Sequence, residues 1–374
     1  MNLLLNGRIR KMPKIKTGIM TLSAAENYGA VLQSHSLCKY LTEYYSYSEI
    51  IDFTPKFIVG RYPLFYLNKS TFWNFIKSLI WSFVYYPIRK KKRNRFNLFR
   101  YKDSTYSKNK YIEHYTDDTY DQYIVGSDQV FNLELTEYDK EFFLLNVTHK
   151  KATYAASVGV SFLSHKEKMI LYRGLSGFCN ISIREKVGCE LIKAILAEKD
   201  VQYMIDPVFL NNEQYWSKLA SKRLYKNNYI IIYTFVNFDL AYKIAKKINK
   251  NGMDILLICD SYKRQKSDVK NIKSVGPKEF LSLIKYSDYV ITDSFHGTAF
   301  AIIFNKQFYS IPYNGTESRF IDLLDLFGLE DRLVKRFEEI NESHVDYSLF
   351  KQRLDFELKR TKSYFDNVYK SYSN

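Results

Sequence analysis

Short apolar runs alternate with longer stretches in which apolar positions recur every three or four residues. The runs read as buried strands over 16–22, 49–53, 121–125, 151–157, 178–183 and 203–205, then over 228–235, 254–259, 272–275, 289–291 and 307–311. The periodic stretches read as helices. Residues 29–45 place Leu32, Leu37, Tyr40, Leu41 and Tyr44 on one face, and 239–249 are amphipathic and lead to Gly252 as a C-cap. Pro277 takes a favoured first-turn position, and 318–327 stop at Gly328. Strand–helix alternation of this kind predicts an α/β chain with parallel sheets. Gly29, just after the first strand and its polar turn, lies where a backbone must approach another group closely or take positive φ. There is no Gly-x-Gly-x-x-Gly here, which argues against dinucleotide binding.

Residues 211–227 are polar and charged and read as a linker. The expected division is a Rossmann-like domain over 1–212, a second one over 222–336, and a helical tail over 337–374. In the tail Phe350, Leu354, Leu358, Phe365, Val368 and Tyr369 mark one helical face, expected to cross back onto the first domain.

Residues 55–115 break the rhythm and read as a helical and basic insert. Phe72, Trp73, Phe75, Ile76, Leu79, Ile80, Trp81, Phe83 and Val84 crowd a segment that Pro87 is expected to close. Arg89, Lys90, Lys91, Lys92, Arg93, Arg95, Arg100 and Lys102 follow. Rings that enter a headgroup boundary beside charges that meet lipid phosphates suit peripheral contact with an anionic membrane. A core helix followed by a solvated charged loop has the same pattern. Nucleic acid is the weaker partner, because the charge is confined to one loop and no RNA- or DNA-binding motif is visible.

The net charge of +16 also favours anionic partners, and the 374 residues suffice for two domains. The 33 Tyr and 27 Phe suit stacking surfaces for sugars or a lipid interface, although AT-biased coding gives the same enrichment. Cys38, Cys179, Cys189 and Cys259 form no Cys-x-x-Cys pair and read as buried free thiols of a reducing cytoplasm. The apolar run at residues 1–7 is too short for a signal peptide, and no stretch is long enough to span a bilayer. His35, His114, His149, His165 and His344 lie among polar residues and are expected at the surface; no spacing suggests a metal site.

Candidate chemistry gathers where strands end. Ser127-Asp128, Ser157-Val158-Gly159 and Arg184-Glu185-Lys186 each follow a predicted strand, which favours one shared cleft. The strongest stretch is 286–304, where a short strand, the polar turn Thr292 to Gly297 and an apolar helix follow one another. In an open α/β sheet ligands bind beyond the carboxyl ends of the strands, and a helix start favours anions. His296 at that turn suits acid–base chemistry on an anionic substrate. The alternative is a capping turn, with Asp293 or Ser294 capping the helix and His296 filling space.

Val290-Ile291-Thr292-Asp293-Ser294-Phe295-His296-Gly297-Thr298 resembles the C-terminal signature of the polysaccharide pyruvyl transferase family. Asn27-Tyr28-Gly29-Ala30-Val31-Leu32-Gln33, Ile124-Val125-Gly126-Ser127-Asp128-Gln129, Tyr154-Ala155-Ala156-Ser157-Val158-Gly159, Ile181-Ser182-Ile183-Arg184-Glu185 and Asp206-Pro207-Val208 resemble it too, in order, over roughly 15–335. The resemblance implies a GT-B-like fold, two Rossmann-like domains facing a cleft. It implies a transferase that takes the pyruvyl unit of phosphoenolpyruvate and joins it as a ketal to a sugar of a capsule, exopolysaccharide or cell-wall polymer, or of its lipid-linked precursor. No cofactor is implied beyond this donor substrate.

The family's donor-binding arginine falls on Arg184 and its histidine on His296. Asp128 suits the base for the sugar hydroxyl, or else an Asx turn; Arg184 suits a two-point grip on carboxylate or phosphate, or else a pair with Glu185 or Asp206. Characterised branches carry Arg-Leu before the histidine, where this chain has Ser294-Phe295. Ser294 and helix N–H groups, with Arg319 or Lys306 downstream, are the expected replacements for that cation. Asn27, Gly29, Ser127, Phe295 and Gly297 complete the expected substrate-binding set. The expected location is the cytoplasm, at the inner face of the plasma membrane. Two readings compete: a nucleotide-sugar glycosyltransferase of the same architecture, and a non-catalytic membrane-surface scaffold of polysaccharide assembly.

Overall fold

The computed structural model describes residues 15–110, 119–261, 265–313, 315 and 317–370. The short run at 1–7, His114 and the tail 371–374 lie outside the described residues. Seven strands form the first sheet: β1 (Lys16–Met20), β2 (Tyr47–Asp52), β3 (Tyr106–Lys110), β4 (Gln122–Asp128), β5 (Lys150–Ala156), β6 (Ile181–Ile183) and β7 (Val201–Tyr203). Between them run α1 (Tyr28–Tyr44), α2 (Lys56–Val59), α3 (Phe72–Leu98), α4 (His165–Leu175) and α5 (Lys186–Ile195). The second sheet has β8 (Tyr229–Tyr233), β9 (Asp254–Ile258), β10 (Val269–Ile272), β11 (Tyr289–Thr292) and β12 (Gln307–Ser310). Its helices are α6 (Glu213–Leu219), α7 (Phe238–Ile248), α8 (Pro277–Lys285), α9 (Phe295–Ile303) and α10 (Glu317–Phe327), with α11 (Phe350–Tyr369) following.

Every strand pairing within both sheets is parallel. The strand orders are β3-β2-β1-β4-β5-β6-β7 and β10-β9-β8-β11-β12. Central strands of such sheets are covered on both faces, which is why β8 reads as the unbroken apolar run Tyr229 to Tyr233, buried throughout. The order reverses between β1 and β4 and again between β8 and β11, each a switch point beyond which a crevice opens. The two Rossmann-like halves face each other across these carboxyl edges, the GT-B-like arrangement.

The last helix returns to the first half. Tyr369 Oη lies 2.9 Å from Thr17 Oγ1 and 3.1 Å from Ser46 Oγ, and Tyr364 Oη donates to the Thr153 carbonyl. The Phe365 ring stacks on Tyr154 at 4.7 Å.

Three expectations about the linker and the insert give way. Residues 211–227 are not a bare linker: α6 lies there, with Trp216 fully buried and its Nε1 donating to Val208 O at 3.0 Å. One large ring outweighs the polar residues around it. Helix α3 runs straight past Pro87, although a proline inside a helix costs about 3 kcal/mol. Two anchors just after the proline hold the helix: Arg89 donates to Leu64 O at 3.1 Å, and Ile88 O accepts from Ser274 Oγ at 3.0 Å. The basic cluster is only partly free. Lys92 pairs with Asp260 at 3.0 Å, Arg93 with Glu26 at 2.6 Å, Arg95 with Glu279 at 3.3 Å, and buried Arg100 donates to Ala25 O at 2.7 Å. The second half of α3 thus clasps both domains.

The cysteines are all free, but only Cys38 and Cys189 are buried, which pushes both thiols up to about 12; Cys179 is exposed. His165 and His344 are exposed as expected. His35 is not: it is buried against Ser104 and Tyr215, and burial lowers its pKa from 6.5 to about 4. The fold therefore holds the neutral ring, while the unfolded chain takes up a proton more readily. This contribution is complete above pH 6.5 and is lost as pH falls toward 4, a loss of roughly 3 kcal/mol at most. Urea unfolding at pH 7 and pH 4.5 is expected to show this fall in the wild type and much less of it in His35→Gln.

Candidate active site

The site is built from the turn after β11. Asp293 accepts the backbone N–H groups of Phe235, Val236 and Asn237 at 2.7, 2.9 and 3.0 Å, and so pins the loop between β8 and α7. Ser294 Oγ accepts from Gly297 N at 3.3 Å and caps α9. Gly297 packs on Thr292; a Cβ there would lie 2.5 Å from Thr292 Oγ1. These three residues shape the turn. Its outward product is His296, on the first turn of α9.

His296 presses against the other half of the molecule. A Cβ on Gly29 would stand 2.0 Å from His296 Nδ1, so the close approach foreseen at Gly29 is the approach of this ring. Asn27 Oδ1 caps α1 just before it, accepting from Ala30 N at 3.3 Å. On the ring's other side, Nε2 lies 3.4 Å from Asp206 Oδ2.

Asp206 is the hub. Its Oδ2 accepts from Arg184 Nη1 at 2.7 Å and from Ser127 Oγ at 3.0 Å, and its Oδ1 accepts from Val208 N at 3.0 Å. Burial alone would raise its pKa, but His296 and Arg184 outweigh burial and hold the carboxyl well below the usual carboxylate range. Ser127, expected to bind substrate, is fully buried and engaged with Asp206 instead.

Arg184 is buried, and its guanidinium stacks on the Phe295 ring at 4.4 Å. Nη2 lies 3.9 Å from Asp128 Oδ1. Burial opposes its charge, but Asp206, Asp128 and Glu185 raise its pKa. Arg319 enters from α10 and lines the same hollow as Arg184, Asp206 and Phe295. Burial and the neighbouring Arg184 push its pKa down. Nε and Nη2 of Arg184 and Nε of Arg319 are buried and find no hydrogen-bond acceptor among the described residues. Two crowded guanidiniums with unmatched N–H groups call for an anion.

Asp128 sits at the rim with φ 65°, a conformation that Asp tolerates better than most residues, and its Oδ1 accepts from Gln129 N at 2.9 Å. Its carboxylate thus makes the local turn and also faces Arg184. Lys306 does not join the group. It precedes β12, at the opposite edge of the sheet, and donates to Ser287 O at 3.0 Å. The sequence offers Asp206 as an alternative partner for Arg184 and within the Asp206-Pro207-Val208 segment, but not as a site residue; the signal was Asp-Pro directly after a strand at the shared edge. Glu185 was likewise underrated. Its Oε1 accepts from Val158 N and Gly159 N at 2.7 and 2.9 Å, and holds the turn after β5. Among the described residues no cluster of His, Cys, Asp and Glu could hold a metal ion.

The family model for polysaccharide pyruvyl transferase matches residues 27–315. The chain belongs to the polysaccharide pyruvyl transferase family. It is accordingly a transferase. The match to the pyruvyl transferase family runs from Asn27, the cap of α1, through Asp128, Arg184, Asp206 and His296, and ends before Arg319. No curated protein matches the chain in sequence. Among solved structures, the UDP-GlcNAc 2-epimerase from Methanocaldococcus jannaschii is 11% identical with a TM-score of 0.47, covering 94% of this chain and 100% of the epimerase. The S. aureus MnaA–UDP structure is 11% identical with a TM-score of 0.47, covering 96% and 97%. The UDP-GlcNAc 2-epimerase from Neisseria meningitidis is 9% identical with a TM-score of 0.44, covering 96% and 94%. The fold assignment stands on the strand orders of this chain itself.

Proposed function

We propose that this enzyme transfers the pyruvyl unit of phosphoenolpyruvate to two hydroxyls of a saccharide acceptor, forms a cyclic ketal and releases phosphate. The acceptor would be a sugar of a surface polysaccharide or of its lipid-linked precursor, met at the cytoplasmic face of the membrane. The observation that carries this reading is the pair of buried guanidiniums, Arg184 and Arg319, which share a hollow and have unmatched N–H donors, together with Asp206 of the same hollow, which faces His296 Nε2 at 3.4 Å.

Each group has a task in the reaction. His296 would deliver a proton to the terminal methylene carbon of the enol, which becomes the methyl group. The neighbouring carbon is then electrophilic, and a sugar hydroxyl attacks it while Asp128 takes its proton. Departure of phosphate and attack by a second hydroxyl close the ketal, and the second proton leaves with phosphate or solvent. Arg184 would grip carboxylate or phosphate at two points. Arg319 would supply the cation that this chain lacks beside His296, where Ser294 and Phe295 stand. Asp206 is a positioning residue: it orients Arg184 and faces His296 Nε2. Asn27, Gly29, Ser294, Phe295 and Gly297 would act by shaping the floor of the cleft.

Thermal unfolding with added ligands tests the donor. Phosphoenolpyruvate at a hundred times its Kd is expected to stabilise the protein by about 2.7 kcal/mol, and Arg319→Ala is expected to lose most of that shift. Stabilisation by a nucleotide sugar and none by phosphoenolpyruvate would reverse the assignment in favour of glycosyl transfer.

A further inference from the structure

We infer that the outer face of the first half of α3 docks the enzyme on an anionic lipid surface. Over Phe72 to Val84 only Ser82 is buried, whereas Phe72 is 72% exposed, Trp73 71%, Trp81 55% and Phe83 63%. The inner side of this stretch is satisfied by a short local clasp: Ser82 Oγ accepts from Tyr66 N and Ser78 Oγ from Asn68 N, both at 2.9 Å. That clasp leaves the large rings outside. A contiguous apolar face of this kind is uncommon on a protein with no partner for it.

Charge selects the partner. No Asp or Glu occurs between Asp52 and Asp103, and Lys69, Lys77, Lys90 and Lys91 are exposed along the same segment. A segment that carries cations and no carboxylate of its own complements anionic headgroups, and Trp and Phe beside Lys suit the boundary between headgroups and acyl chains. A second copy of this chain is the poorer occupant, because two-fold pairing would bring like charges face to face. No helix among the described residues is long and apolar enough to cross a membrane, so the contact lies along the surface. The second half of α3 is fixed to both domains by Lys92, Arg93 and Arg95, so the face is carried on a rigid mount.

Two of the three tryptophans, Trp73 and Trp81, sit on this face, while Trp216 is in the core. Intrinsic emission therefore reports docking directly. The full chain is mixed with phosphatidylcholine vesicles with or without phosphatidylglycerol, and binding is read by flotation and by the emission maximum. Flotation and a blue shift are expected only with the anionic lipid. Lys77→Glu/Lys90→Glu/Lys91→Glu is expected to weaken binding by tenfold or more, and Trp73→Ser/Trp81→Ser to abolish flotation, while the unfolding midpoints of both variants stay near that of the wild type. Absence of binding to anionic vesicles at low salt would overturn the inference. So would a dimer in sedimentation that Trp73→Ser/Trp81→Ser dissociates, which would give the face to a second copy.

Discussion

His296→Ala is expected to reduce phosphate release from phosphoenolpyruvate by roughly 100- to 10,000-fold, the usual contribution of a positioned general acid. The loss should fall on kcat, with the thermal shift given by phosphoenolpyruvate largely kept, because in the proposed site Arg184 and Arg319 would still hold the anion. The unfolding midpoint separates this outcome from simple misfolding. The imidazole packs on Gly29, and its removal opens a gap without leaving a buried charge unpaired, since Asp206 retains Arg184, Ser127 and Val208 N. Retention of full activity in His296→Ala would return this ring to the role of filler between a capped helix and α1.

Asp206→Ala is expected to act on the fold itself, with a loss of roughly 3–5 kcal/mol in urea unfolding. The carboxylate is wholly buried and is the one group that meets Arg184, His296 and Ser127 together. Its removal strands a buried guanidinium. Asp206→Asn keeps the shape but not the charge and should cost less. The pH dependence has a definite sign. Because the folded pKa lies below the unfolded one, the stabilisation from Asp206 is present above the ordinary carboxylate range and is lost as pH falls through the depressed value. Asp206→Asn should therefore flatten the acid limb of the stability profile, a result that a role confined to packing would not produce.

Much of the architecture was legible because parallel strands buried on both faces leave plain apolar runs. Residues 229–233 and 289–292 announce themselves in this way, and the polar turns after them mark one edge. Gly29 was legible for a local reason as well: a bare backbone after a strand signals close approach, and the approaching group is His296. What stayed hidden depends on distant partners. Ser127 looks like a ligand-binding hydroxyl until Asp206, far along the chain, is seen to occupy it. Lys306 looks available until the strand direction puts it at the wrong edge. His35 is surrounded by polar residues in sequence, but α6 brings Tyr215 over it. Arg319 lies beyond the matched family region, and only the placement of α10 carries it into the hollow with Arg184.

The return of α11 also bears on how the chain is made. Thr17 and Ser46 near the beginning meet Tyr369, and Tyr40 and Tyr154 meet Phe365. During synthesis on the ribosome, the first sheet must wait with that surface bare while the whole second half is translated. The usual order, in which an amino-terminal domain completes itself before the next one emerges, does not apply here. Nascent chains stalled before residue 350 should therefore be caught by chaperones, even though every strand of the first sheet has already left the exit tunnel.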